Sequence, residues 1–131
     1  LEGFWYQENT EGVDYSRKAD FRWISVIRLP DFVTEADFNW ACGEAARKKG
    51  LDTSGASYWT HREGLCVQMM HLGSFDSEPA SVAQMDAFLA ERGYVNDFTP
   101  TRLHHEIYLS DARKTAPEKW KTVIRHPIRR A

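Results

Sequence analysis

The chain has 131 residues, 42% of them hydrophobic, which is enough for one cored domain and too little for two independent ones. Its 17 Lys plus Arg against 19 Asp plus Glu leave a net charge of -2, so bulk electrostatics give no reason to expect a nucleic-acid or anionic-membrane partner. No apolar run reaches the roughly 18 residues of a membrane helix and no signal peptide is visible, so a soluble, cytoplasmic protein is expected.

EGFWYQE, residues 2–8, reads as a short aromatic strand followed by a polar loop to about Ala19. The chain opens on this interior-looking strand without a methionine, which suggests a fragment of a longer protein. FRWISVIRL, residues 21–29, alternates so that Phe21, Trp23, Ser25, Ile27 and Leu29 share one face and Arg22, Ile24, Val26 and Arg28 the other, as in a strand. Pro30 ends it. Thr34 with Asp37 three residues on forms a variant capping box for a helix that stops at Lys48-Lys49-Gly50. Its Phe38, Ala41, Cys42 and Ala45 recur at helical spacing and should face a sheet.

SYWTHRE and GLCVQMMHLG then read as two strands joined near Glu63-Gly64 in a hairpin. A second helix should start at DSEPAS, capped by Asp76 or Ser77 with Pro79 in its first turn, and end at Gly93 with Val82, Met85 and Leu89 inward. HHEIYLSD, residues 104–111, supplies a further strand. The order strand, strand, helix, strand, strand, helix, strand implies an α+β fold, an antiparallel sheet with helices packed on one face. Arg125, Arg129 and Arg130 read as a solvated cationic tail.

Alternation along HHEIYLSD places His104, Glu106 and Tyr108 on one face and His105, Ile107 and Leu109 on the other. With Ile107 and Leu109 in a helix-covered core, Glu106 and Tyr108 would point to the open side of the sheet. The 13% aromatic content includes five tryptophans, more than so small a core readily uses. Trp5, Trp23, Tyr58, Trp59 and Tyr108 all fall in or beside expected strands, and so many rings bare to water would be costly, which favours a ligand pocket. Two readings of Glu106 stay open at this level. It is either a wet strand residue paired with an arginine such as Arg22 or Arg28, or a carboxylate in an aromatic cage suited to proton transfer or to a lipophilic cation.

Metal and cofactor chemistry find no sequence support. His61, His71, His104, His105 and His126 show neither HExxH nor facial-triad spacing, so no metal site is expected. Asp76 and Glu78 stand at a helix start, where capping explains them. Cys42 and Cys66 lack the paired spacing of zinc or redox motifs, and no nucleophile elbow or phosphate loop is present. No cofactor is expected.

LPDFVTEADF, EGLCVQMMHLGSFDSEPASVAQMDAFLAERGY and HHEIYLSDARKTAPEKWKTVIRHPI together resemble the GyrI-like small-molecule-binding family over nearly the whole chain, as a single domain spanning 1–131. The resemblance implies a duplicated strand-helix-strand-strand module of the SHS2 type with a cleft between its halves. LEGFW resembles the last strand of the first half, so much of that half would be missing. The pocket would then be completed by an N-terminal segment or a second subunit.

The most similar members are cyclopropanoid cyclopropyl hydrolases, which open the activated cyclopropane of DNA-alkylating natural products of the yatakemycin and CC-1065 type. The resemblance therefore implies detoxification or self-resistance, with a hydrophobic planar small molecule as partner. It assigns the acid of HHEIYLSD, Glu106, to catalysis with Tyr108 as its hydrogen-bonding partner. Trp5 falls in the ligand cage by resemblance, and Trp23, Tyr58, Trp59 and Tyr108 join it by alternation. The alternative is a non-catalytic binder or sensor of lipophilic, including cationic, xenobiotics.

Overall fold

A computed structural model describes residues 1–8, 10 and 12–131. Two compact units make up the chain, one formed by Leu1–Ile27 with Glu63–Ala131 and the other by Arg28–Arg62.

The larger unit is built on strands β1 (Glu2–Tyr6), β2 (Arg22–Val26), β3 (Cys66–Leu72), β4 (Tyr94–Asn96), β5 (His104–Tyr108) and β6 (Lys121–Arg130). They form a six-stranded sheet in the order β2-β1-β5-β6-β3, with β4 paired to β6, and every pairing is antiparallel. The fold is therefore α+β with an antiparallel sheet, as the element order implies.

Register decides which side chains meet. Glu106 stands opposite Ile124 and Tyr108 opposite Thr122 across β5 and β6. Met69 and His71 of β3 stand opposite the same two β6 residues, while Gly3 and Trp5 of β1 stand opposite Glu106 and His104. Directly paired residues share a face. One face thus carries Trp5, His104, Glu106, Tyr108, Thr122, Ile124, His126 and His71.

The helix α2 (Glu78–Arg92) packs on that same face. Ser81, Met85 and Leu89, spaced four apart, are its buried stripe with Glu78. Ser81 Oγ lies 2.9 Å from His71 Nδ1, which ties the first turns of α2 to β3. Pro79 occupies the first turn, where its missing N–H costs nothing, and Gly93 closes the helix at φ 70°, a left-handed value that glycine adopts without strain.

The smaller unit contains α1 (Glu35–Lys49). Its capping box forms as expected: Asp37 N donates to Thr34 Oγ1 at 3.3 Å and Thr34 N to Asp37 Oδ2 at 2.8 Å. Phe38, Cys42 and Ala45 are half-buried, Ala41 is exposed, and the Phe38 ring lies against Tyr58.

Four expectations need correction. SYWTHRE is not a strand and no hairpin forms at Glu63-Gly64; the stretch has strand composition but finds no neighbour to pair with, and Gly64 takes φ 71° just before β3. The strand expected at residues 21–29 is confined to Arg22–Val26, at the sheet edge. The basic C-terminal segment is not a tail but the ten-residue β6, an interior strand of the sheet; Arg129 and Arg130 are solvent-exposed as expected, whereas Arg125 bonds Gln68 Oε1 and Glu63 Oε1 at 2.9 and 2.7 Å. Finally, Ile107 and Leu109 do not lie under α2. Leu109 is 56% exposed, and Glu106 occupies the face that α2 covers.

Candidate active site

Glu106 lies mid-strand in β5, flanked by β1 and β6, and is only 7% exposed. It pairs with neither Arg22, which is bridged to Glu8, nor Arg28, which is bridged to Asp31. Its partners are its own-face neighbours. Tyr108 donates its O–H to Glu106 Oε2 at 2.7 Å, and Trp5 Nε1–H donates to the same phenol oxygen at 2.7 Å. Because Trp5 can only donate, it leaves the tyrosine proton free to point at Glu106. Gly3, opposite Glu106, makes this possible: a Cβ there would stand 2.9 Å from Trp5 Nε1 and 3.0 Å from Tyr108 Oη.

On the other oxygen, Glu106 Oε1 lies 2.9 Å from His104 Nε2, and His104 Nδ1 lies 2.7 Å from His126 Nε2. With Glu106 ionised, His104 donates from Nε2, accepts at Nδ1 from His126 Nε2–H, and leaves His126 Nδ1 bare. That nitrogen is buried without a partner. Burial, and then the neighbouring His104, push His126 down to about 3, so its ring is neutral across the physiological range. A relay of Tyr108, Glu106, His104 and His126 therefore runs through the buried face.

A second carboxyl meets the first. Glu78, the opening residue of α2, is 1% exposed and accepts from the Tyr15 hydroxyl through Oε2 at 3.2 Å. Burial first, and the charge of Glu106 second, push it up to about 8, so at neutral pH it keeps its proton. Burial and the same acidic charges raise the Tyr15 and Tyr108 phenols well above their ordinary value, which keeps both as O–H donors. One ligand atom from each of Glu78, His104 and Glu106 lies within 4.8 Å of the others, a donor set that a divalent ion would accept. His104 and Glu106 of this set also lie within hydrogen-bond distance of each other, at 2.9 Å.

Aromatic rings surround the pair. Trp5 stacks on Trp23 with centroids 5.8 Å apart, Phe75 meets Tyr108 edge-on at 5.8 Å, and Phe98 meets His126 at 4.9 Å. Trp23 is 55% exposed, which leaves an indole face open beside the buried polar network. A cavity of about 650 Å3 opens alongside, lined among others by Trp5, Ile24, Phe98, Leu103 and His104.

Of the candidates from sequence, Glu106, Tyr108, Trp5 and Trp23 come together here. Tyr58 and Trp59 belong to the other unit, where the Tyr58 hydroxyl donates to Val33 O at 3.1 Å and Trp59 lies against His61. Sequence reasoning missed Glu78, His104 and His126. Alternation alone puts His104 on the Glu106 face, whereas His126 could be found only once β6 was recognised, since it reaches His104 across β6 and β5.

The buried acid is thus held by a tyrosine and a histidine beside stacked indoles, and the GyrI-like small-molecule-binding domain family matches residues 1–129. The chain belongs to that family. Solved structures similar to this GyrI-like chain include an uncharacterized conserved protein from Listeria innocua, 46% identical with a TM-score of 0.90, matched over 98% of this chain and 62% of the other. A hydrolase from the same organism is 43% identical with a TM-score of 0.85, over 98% and 61%. A further Listeria innocua hydrolase structure is 44% identical with a TM-score of 0.86, over 98% and 62%. The chain thus spans about three fifths of the length of these relatives. No curated protein matches it.

Proposed function

We propose that this GyrI-like domain hydrolyses the activated cyclopropane of planar, DNA-alkylating natural products of the yatakemycin and CC-1065 type, a detoxifying reaction. The observation that carries the reading is the buried Glu106 carboxyl held between Tyr108 and His104 next to stacked indoles. Two similar structures are of hydrolases, which supports turnover over binding alone. No helix among the described residues is long and apolar enough to cross a membrane, which accords with a domain that meets its ligand in water.

In such substrates the cyclopropane is conjugated to a dienone carbonyl. Glu106 takes a proton from a water molecule as the water oxygen bonds to the ring methylene. The cyclopropane C–C bond breaks, its electron pair moves onto the carbonyl oxygen, and that oxygen gains a proton to become a phenol. The net change is addition of one water. Trp5 and Trp23 hold the flat substrate by stacking and dispersion, and Tyr108 fixes the carboxylate rotamer.

The test is a mass-resolved ring-opening assay on a spirocyclopropyl dienone. Gain of one water by the ligand in the presence of wild-type protein, lost in Glu106→Gln, supports the reading. Tight binding with no mass gain overturns it in favour of a sensor or binder. Tyr58→Ala and Trp59→Ala report separately whether the rings of the smaller unit bear on the ligand.

A further inference from the structure

We propose that Glu78, His104 and Glu106 form a binding site for one divalent transition-metal ion of the zinc type, buried between α2 and β5. The inference goes beyond the hydrolase reading and does not rest on it.

The three side chains converge although their spacing along the chain spells no metal motif. His104 and Glu106 stand two apart on β5, so a regular strand presents both on one face, and the start of α2 brings Glu78 over them. One donor atom from each lies within 4.8 Å of the other two, and the residues are 1%, 1% and 7% exposed in chain order. With bonds of about 2.0–2.2 Å, two ligands on one zinc ion stand roughly 3–3.5 Å apart. His104 Nε2 and Glu106 Oε1, at 2.9 Å, are already close to that separation.

A residue outside the set ties the second polar atom of each ligand, the arrangement that orients metal ligands. Tyr15 O–H donates to Glu78 Oε2 at 3.2 Å, and Tyr108 O–H to Glu106 Oε2 at 2.7 Å. His104 Nδ1 lies 2.7 Å from His126 Nε2. With Nε2 on an ion, His104 carries its proton at Nδ1 and donates it to His126. The atom left over is Glu78 Oε1, buried and without a hydrogen-bond partner. An ion beside His104 and Glu106 gives that oxygen its partner.

The donor types select the ion. Two carboxylates and a divalent cation sum to zero charge, which a buried site tolerates far better than bare carboxylates. One imidazole beside two carboxylates favours zinc and its first-row neighbours over calcium and magnesium, whose ligands are oxygens. Three protein ligands leave a tetrahedral ion one open position, and His104 also lines the cavity of about 650 Å3, which supplies the way in. An ion on Glu106 takes the lone pairs that proton abstraction needs, so the ion-loaded and ring-opening forms are alternative states of one carboxylate.

The experiment is a zinc titration of the chelator-stripped full chain against a chromophoric zinc indicator, in wild type, Glu78→Gln and His104→Gln. Magnesium and calcium serve as comparison ions, and nitrogen-15 NMR follows the histidine rings before and after zinc. The expected result is one zinc per chain, held at least about tenfold more weakly in each variant, with no magnesium or calcium taken up at the same concentration. His104 should move its proton from Nε2 to Nδ1 as zinc enters, a change that a merely structural role does not produce. The proposal is overturned if the wild type takes up no zinc, if either substitution leaves uptake unchanged, or if His104 keeps its proton on Nε2. Cobalt in place of zinc that shows a thiolate charge-transfer band also overturns it, because Cys42 or Cys66 would then be the ligand. Should neither variant fold, the histidine resonances of the wild type decide. A wild type that binds zinc in this way but opens no ring when metal-free retires the hydrolase reading and leaves the ion site standing.

Discussion

Tyr108 is where hydrogen-bond direction becomes chemistry. It receives Trp5 Nε1–H and gives its own proton to Glu106, so removing its hydroxyl strips two groups at once. Tyr108→Phe should slow ring opening by about 10- to 100-fold, less than Glu106→Gln, for which about 10²- to 10⁴-fold is the range of a lost general base. It should also cost about 1–3 kcal/mol of stability, since the indole N–H of Trp5 loses its acceptor. Paired measurements of turnover and urea midpoint on the same sample separate the two effects.

At this scale the sequence was legible where alternation governs. His104, Glu106 and Tyr108 fall on one face, and His105 on the other, where its Nε2 lies 2.8 Å from Glu2 Oε2. It was silent on Glu78, because an acid at a helix N-terminus has a sufficient local explanation. Only the packing of α2 onto the sheet, against β3 and β4, brings this acid to the buried His104 and Glu106.

Among the elements, β6 organises the sheet. Its Thr122, Ile124 and His126 are all buried, and it pairs with β3, β4 and β5. Ile124 is 0% exposed at the centre of this face, so Ile124→Ala should destabilise the domain by about 2–5 kcal/mol, read as a lowered denaturant midpoint with an unchanged slope. β6 escaped notice because Pro127 and four cationic side chains mask its alternation. A proline usually argues against an interior strand. Here Pro127 sits near the end of the β3 pairing, opposite Cys66, and its carbonyl accepts from Asp97 N at 2.8 Å.

The helices were legible for the opposite reason: their signals are local. The Thr34 and Asp37 box and the left-handed Gly50 set the ends of α1 without help from the rest of the chain. Thr34→Ala should accordingly cost that helix about 1 kcal/mol, seen as loss of helical circular dichroism at lower denaturant. SYWTHRE shows the limit of composition. A strand needs a neighbour to bond, and no run of β-forming residues supplies one by itself.

For the whole molecule, the two buried groups of the site whose shifts fall between acid and mildly alkaline pH, His126 and Glu78, predict the shape of the pH–stability curve. His126 is held neutral, with its folded value lowered from 6.5 to about 3, so the unfolded chain binds the extra proton between these limits and stability falls as pH drops through them. Glu78 is held protonated, with its folded value raised from 4.5 to about 8, so the folded chain binds the extra proton and stability falls as pH rises from 4.5 to 8.

Each slope is at most about 1.4 kcal/mol per pH unit. They oppose one another between 4.5 and 6.5, where the two groups together contribute a plateau. On the alkaline side only Glu78 remains, and the melting temperature should decline from pH 6.5 to 8. Glu78→Gln should flatten that decline while leaving the acid limb to His126, as scanning calorimetry across the same buffers would show. A fold stable in weak acid and softened toward pH 8 would be the signature of a domain that keeps two carboxyls buried against each other.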